Sequence, residues 1–144
     1  MFQTVLVPVD PTEPDEIAAA YGIRLAEQFG CDVRLLSVID RPQQRDQLRT
    51  DFEETVRESL EDILDIADHH GVPAAVDVRK GEAAEEIVDA ASASDLVVMG
   101  TAGRDGLDRV VMGSVAESVV QESPVPVLTV PVVAERPAET WSPT

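Results

Sequence analysis

The sequence predicts an α/β protein built on an open, doubly wound five-stranded parallel sheet with helices on both faces, and three observations lead there. Short apolar runs alternate with longer segments of helical period along most of the chain. The run at 96–99, LVVM, contains no polar residue, which marks a strand covered on both faces. It passes into Gly100, Gly103 and Gly106 and then to Gly113 and Ser114 ahead of another apolar-periodic segment, the strand–loop–helix layout of an anion site.

Each element has its own signal. Residues 4–9, TVLVPV, form a β-branched run that predicts a central first strand, closed by Asp10. Pro11 and Pro14 mark a turn and a first helical turn, with Thr12 and Asp15 as a capping pair. Ile17, Tyr21, Leu25 and Phe29 recur every four residues and predict the apolar face of the first helix, which Gly30 stops. Residues 33–39 predict strand two, and 41–47, RPQQRDQ, a polar connection. Leu48, Phe52, Val56, Leu60, Ile63 and Ala67 then trace one face of a single long helix, ended by Gly71, with acids on its other side.

Ala74, Val76 and Val78 alternate with Ala75, Asp77 and Arg79, so strand three is exposed on one face or lies at an edge. A third helix runs from about 82 to 91. Strand four and its glycine loop follow, then a fourth helix from Ser114 and a last strand over 126–130. From 134 the sequence AERPAETWSPT has no periodicity, giving one domain over 1–133 and a loose tail over 134–144.

Composition narrows the function classes. The 28 acidic against 11 basic residues give a formal charge of -17, yet 44% of residues are hydrophobic, so the acids belong to a folded surface rather than to disorder. Lys80 is the only lysine, and such an acid-coated surface suits a protein working in concentrated salt, a halophilic cytoplasm. Nucleic acid and anionic membranes are excluded as partners for want of a basic cluster. No apolar run approaches a membrane span and the first residues lack the pattern of a signal peptide, so a cytoplasmic location is expected. Cys31, the single cysteine, reads as a small core residue. His69 and His70 sit just before the Gly71 stop, where histidines favour a helix dipole; neighbours on a helix face different ways and make a poor metal pair.

The glycines are spaced Gly100-x-x-Gly103, nine residues, Gly113-Ser114, which is neither a Walker A loop nor a dinucleotide fingerprint. The spacing resembles the ATP-binding signature of the universal stress protein family. VLVPVD at 5–10, LLSVID at 35–40, DLVVMG at 95–100, GSVAESVV at 113–120 and PVPVLTV at 124–130 are similar to that family's landmarks and stand in the same order.

The resemblance implies the adenine nucleotide alpha hydrolase-like fold with strand order 3-2-1-4-5, whose switch point brings Asp10 and Gly100 to one crevice. It implies Pro8, Val9 and Asp10 beside the adenosine, Val38 offering backbone to the base, and Met99 packing on the nucleotide or in the core. Gly100, Gly103, Gly113, Ser114 and Val115 would surround the phosphates, and Ser114 would also cap the last helix. Arg104 pairs with a phosphate or with Asp105 or Asp108. The implied ligand is ATP, or ADP or AMP, with Mg²⁺ that Asp10 would reach through water.

No catalytic residue is implied. No lysine follows the glycines, and the chain reads as a stress-response switch that is at most a slow ATPase. The family pairs subunits along strand five, which implies a homodimer through Val125, Val127, Leu128 and Val130. The alternative is a nucleotide-free stress protein acting through dimerisation or a protein partner. The chain departs from the family at Ala102, where a polar residue is common and whose methyl offers no polar contact, and at Pro11, which replaces a common glycine.

Overall fold

β1 (Thr4–Pro8) runs through the middle of a parallel sheet of order β3-β2-β1-β4-β5 in the computed structural model, which describes residues 2–39, 46–101 and 112–131. On one side it pairs with β2 (Asp32–Ile39), Val5 opposite Val33; on the other with β4 (Leu96–Gly100), Val5 opposite Leu96. β3 (Ala74–Lys80) and β5 (Val127–Val130) are the edges. The order matches the expectation, as does the edge position of the alternating third strand.

Alternation along the strands sends side chains into two cores. Val5, Val7, Val33, Leu35 and Val98 meet α1 (Glu16–Phe29), α2 (Asp46–Ser59) and α3 (Glu61–His69) on one face. Leu6, Leu36, Val97 and Met99 meet α4 (Ala83–Ala91) and α5 (Ser114–Glu122) on the other. Helices therefore cover both faces, and β1 is buried on each.

Three helix readings need correction. Only the middle of the predicted face of α1 meets the core: Tyr21 and Leu25 are half-buried against it, Ile17 is 55% and Phe29 56% exposed, and the fully buried face is Ala18, Ala19, Gly22, Ile23 and Ala26. A four-residue repeat precesses by about 40° per step, so its two ends lie about 120° apart and cannot share one face. The face that docks is the small one, because α1 presses onto β1; a β-carbon on Gly22 would come within 2.7 Å of Val7 Cγ2. Thr12 and Asp15 do not form a capping pair either. Asp15 alone caps α1, Oδ1 accepting from Ala18 N at 2.9 Å, and Pro14 precedes the helix rather than filling its first turn.

The single long helix is two, α2 and α3, parted at Leu60. Ser59 Oγ donates to the Val56 carbonyl at 2.7 Å and Leu60 N donates to Arg57 O at 3.1 Å, so the backbone tightens for one turn before α3 begins. Val56, Leu60, Ile63 and Ala67 are all buried as the spacing predicts, whereas the side chains of Leu48 and Phe52 lie outside the described residues. Gly30 and Gly71 stop their helices in the left-handed region, each at φ 69°. Among the described residues no helix is long and apolar enough to cross a membrane.

Candidate functional site

The C-terminal ends of β1 and β4 part at the middle of the sheet, where β1 leads to one side and β4 to the other. Beyond Pro8 the chain is held tightly. Val9 N donates to Leu36 O at 2.8 Å, and the fully buried Ser37 donates from Oγ to Val9 O at 2.9 Å. The next residue, Asp10, closes its own turn: Oδ1 accepts from Thr12 N at 2.9 Å and from Thr12 Oγ1 at 2.7 Å.

β2 outruns β1. The Leu36 carbonyl points toward β1, where Val9 takes it, and the Ile39 carbonyl points toward β3, where Gly81 N donates to it at 3.0 Å. Val38 lies two residues past Leu36 and so turns its N–H and C=O to the β1 side, beyond the point where β1 has ended. A donor and an acceptor from one peptide strand thus face the gap.

The start of α5 supplies donors on another wall. Gly113 is its N-cap with no side-chain cap, and Glu117 N is the first amide to bond back, to Gly113 O at 2.9 Å. The amides of Ser114, Val115 and Ala116 have no acceptor among the described residues, which is the arrangement an anion completes. Ser114 is the first helical residue rather than the cap, so the expected capping by its hydroxyl is not made. Gly113 N is itself occupied, donating to Thr101 O at 2.7 Å, a bond that ties the start of α5 to the end of β4.

These parts enclose one cavity of about 370 Å³. Of the residues implied at the nucleotide, Pro8, Val9, Asp10, Val38, Met99, Gly100, Gly113, Ser114 and Val115 all line it. Met99 also packs in the second core. Gly103 and Arg104 lie outside the described residues. The reading of the residues missed Pro11, Glu13, Asp15, Leu36, Ala83, Ile87 and Ala116 as lining residues. Ile87 and Ala116 carry only the ordinary signal of a helix core face. Asp15 was legible as a capping residue, but nothing local says that its second oxygen, Oδ2, abuts Gly100 across the gap.

Three carboxylates, Asp10, Glu13 and Asp15, therefore share the cavity with the α5 amides, and among the described residues no lysine or arginine lines it. No group of three or more His, Cys, Asp or Glu side chains among the described residues is arranged to hold a metal ion. Cys31 is buried below the sheet's other end, and burial, then Asp95 and Asp32, push its thiol up, so it is an inert core group. His70 Nδ1 lies 3.0 Å from Glu27 Oε1 at the end of α3, remote from the cavity lining.

Of the implied dimer residues, Val130 is buried in the first core and Val125 and Val127 pack against the second. Leu128 is the exposed one, at 40%.

Fold and cleft together define an adenine nucleotide alpha hydrolase-like α/β protein with its cavity at the switch point of the sheet. The chain belongs to the universal stress protein family, whose model matches residues 1–131. A universal stress protein of Methanocaldococcus jannaschii is 31% identical over 140 residues, covering 90% of this chain and 82% of its own. Among solved structures, a hypothetical protein whose function was assigned from its structure superposes with a TM-score of 0.76 at 28% identity, over 94% of this chain and 99% of its own. The universal stress protein of Archaeoglobus fulgidus in complex with dAMP has the same fold, with a TM-score of 0.68 at 21% identity over 89% of this chain and 97% of its own.

Proposed function

We propose that this chain is an ATP-binding stress-response module of the cytoplasm, homodimeric through β5, whose occupancy changes its shape or its partners. One observation carries the reading: three amides at the start of α5 with no acceptor among the described residues, and the edge of the Val38 peptide beyond the end of β1, open onto the same cavity. The first set suits phosphate, and the second suits the hydrogen-bonding edge of a purine. The dAMP held by the Archaeoglobus fulgidus relative supports an adenine nucleotide on this fold.

In this reading Ser114 and Val115 meet the phosphates, joined by Gly100, Gly103 and Arg104, while Pro8, Val9 and Asp10 flank the adenosine and Met99 packs on it. Mg²⁺ accompanies the triphosphate and neutralises part of its charge, with Asp10 reaching it through water. Turnover, if present, is slow, because the sequence places no lysine after the glycines to steady a transferring phosphoryl group. The net charge of -17 fits a cytoplasm rich in salt.

Gly113→Asp tests the site without breaking the helix. Gly113 has φ -64° and ψ 159°, which aspartate adopts freely, and Asp is a favoured N-cap. Its carboxylate would satisfy the α5 amides from within and occupy the phosphate position. Mass spectrometry of gently purified protein should find ATP retained by the wild type and lost from a well-folded Gly113→Asp. Failure of the wild type to retain or take up nucleotide in salt would reject the reading in favour of a nucleotide-free family member.

A further inference from the structure

We infer that Asp15 makes the cavity discriminate by phosphate charge: a triphosphate enters with its Mg²⁺ and is repelled without it, whereas a monophosphate needs no cation. The inference rests on the nucleotide reading of the cavity. Asp15 Oδ1 accepts from Ala18 N at 2.9 Å, and Oδ2 sits where a β-carbon on Gly100, at the end of β4, would project. Half-buried and anchored through its cap bond, the carboxylate belongs to the cavity wall.

The scale of the cavity makes that charge felt. A sphere of 370 Å³ is roughly 9 Å across, and a phosphate inside it faces Asp15 across the cavity rather than through bulk electrolyte, where mobile ions would screen it most. The α5 terminus offers an opposing charge of about +0.5, which suits one phosphate better than three. ATP carries about two more negative charges than AMP at neutral pH. Glu13 also lines the cavity but is exposed, so water screens it more strongly and it serves as a matched control.

The charge of Asp15 can be separated from its capping role, because Asn caps a helix about as well as Asp. Isothermal titration calorimetry with AMP and ATP, each in EDTA and in excess Mg²⁺, is the test on wild type, Asp15→Asn and Glu13→Gln. Wild type should bind ATP more tightly with Mg²⁺ than in EDTA and bind AMP alike in both. Asp15→Asn should raise the affinity for cation-free ATP by about tenfold, the effect of two charges at about 8 Å through a partly screened interior, and raise that for AMP much less. Glu13→Gln should change ATP binding by less than about threefold.

An unchanged Mg²⁺ dependence in Asp15→Asn, or an equal change in Glu13→Gln, would overturn the role of Asp15 while leaving nucleotide binding intact. Loss of AMP and ATP binding in the wild type would instead reject the nucleotide reading itself, and this inference with it. Should Asp15→Asn melt early, Asp15→Ser retains a capping oxygen without the charge and repeats the measurement.

Discussion

Asp15 and Gly100 meet in the wall of the cavity, the carboxylate Oδ2 of one filling the space into which a β-carbon of the other would project. A β-carbon at 100 would overlap that oxygen, so the glycine makes room for the α1 cap as well as for a ligand. Gly100→Ala should displace Asp15, lose the bond from Ala18 N and cost about 1–2 kcal/mol, with weaker nucleotide binding. The two sites should be coupled. Chemical denaturation of Gly100→Ala, Asp15→Ala and the double variant should give a double-variant loss smaller than the sum of the single losses; simple additivity would show that the contact does not matter.

Ser37 is fully buried, and its hydroxyl answers the Val9 carbonyl where no strand neighbour does. Ser37→Ala leaves that carbonyl without its partner, at a cost of about 1–3 kcal/mol. The urea midpoint should fall with an unchanged slope. Because Val9 leads into Asp10, nucleotide affinity should fall too. A variant as stable as wild type would mean that water replaces the hydroxyl without loss.

The strands and the helix-stopping glycines at 30 and 71 were legible because their signals are local: apolar runs and turn residues sit next to one another in the chain. The docking face of α1 was not. Reading periodicity by large side chains favours Ile17 and Phe29, but the sheet accepts only the small face around Gly22, and that preference arises from Val7 on another element. The break at Leu60 escaped for the opposite reason: the apolar period runs through it undisturbed, and only the Ser59 hydroxyl, competing for a backbone carbonyl, marks it. In the site, residues at strand ends and the α5 start were found, while Asp15 was assigned to a cap and not to the cavity because its second contact is made 85 residues away in sequence, at Gly100.

Asp95 ties the start of the first strand to the turn before the fourth. Its Oδ2 accepts from Gln3 N at 2.8 Å and Thr4 N at 3.0 Å, and these two bonds hold its carboxyl below the ordinary range. A carboxyl whose folded value is depressed stabilises fully above its unfolded value, near pH ~4, and the contribution is lost as pH falls through the lower, folded value. Asp95→Asn cannot ionise. The stability gap between wild type and Asp95→Asn, read from urea curves at neutral, mildly acidic and strongly acidic pH, should be widest at neutral pH and shrink below pH ~4. A gap independent of pH would mean that the contribution of Asp95 does not depend on its charge.

The proposed homodimer depends on the outer edge of β5, which pairs with β4 on its inner side and with no other strand among the described residues. Such an edge invites a second chain, and prolines at 124, 126 and 131 limit where one can pair. Val127 is a poor place to test it, because Val127 packs against the second core and a charge there would damage the fold along with any interface. Leu128 is exposed in the single chain. Leu128→Asp should therefore leave the circular dichroism melt within about 0.5 kcal/mol of wild type while placing a carboxylate in the interface. Light scattering after gel filtration should find a dimer for wild type and a monomer for Leu128→Asp. A variant that stays dimeric would move the interface away from β5, and a monomeric wild type would remove the dimer altogether.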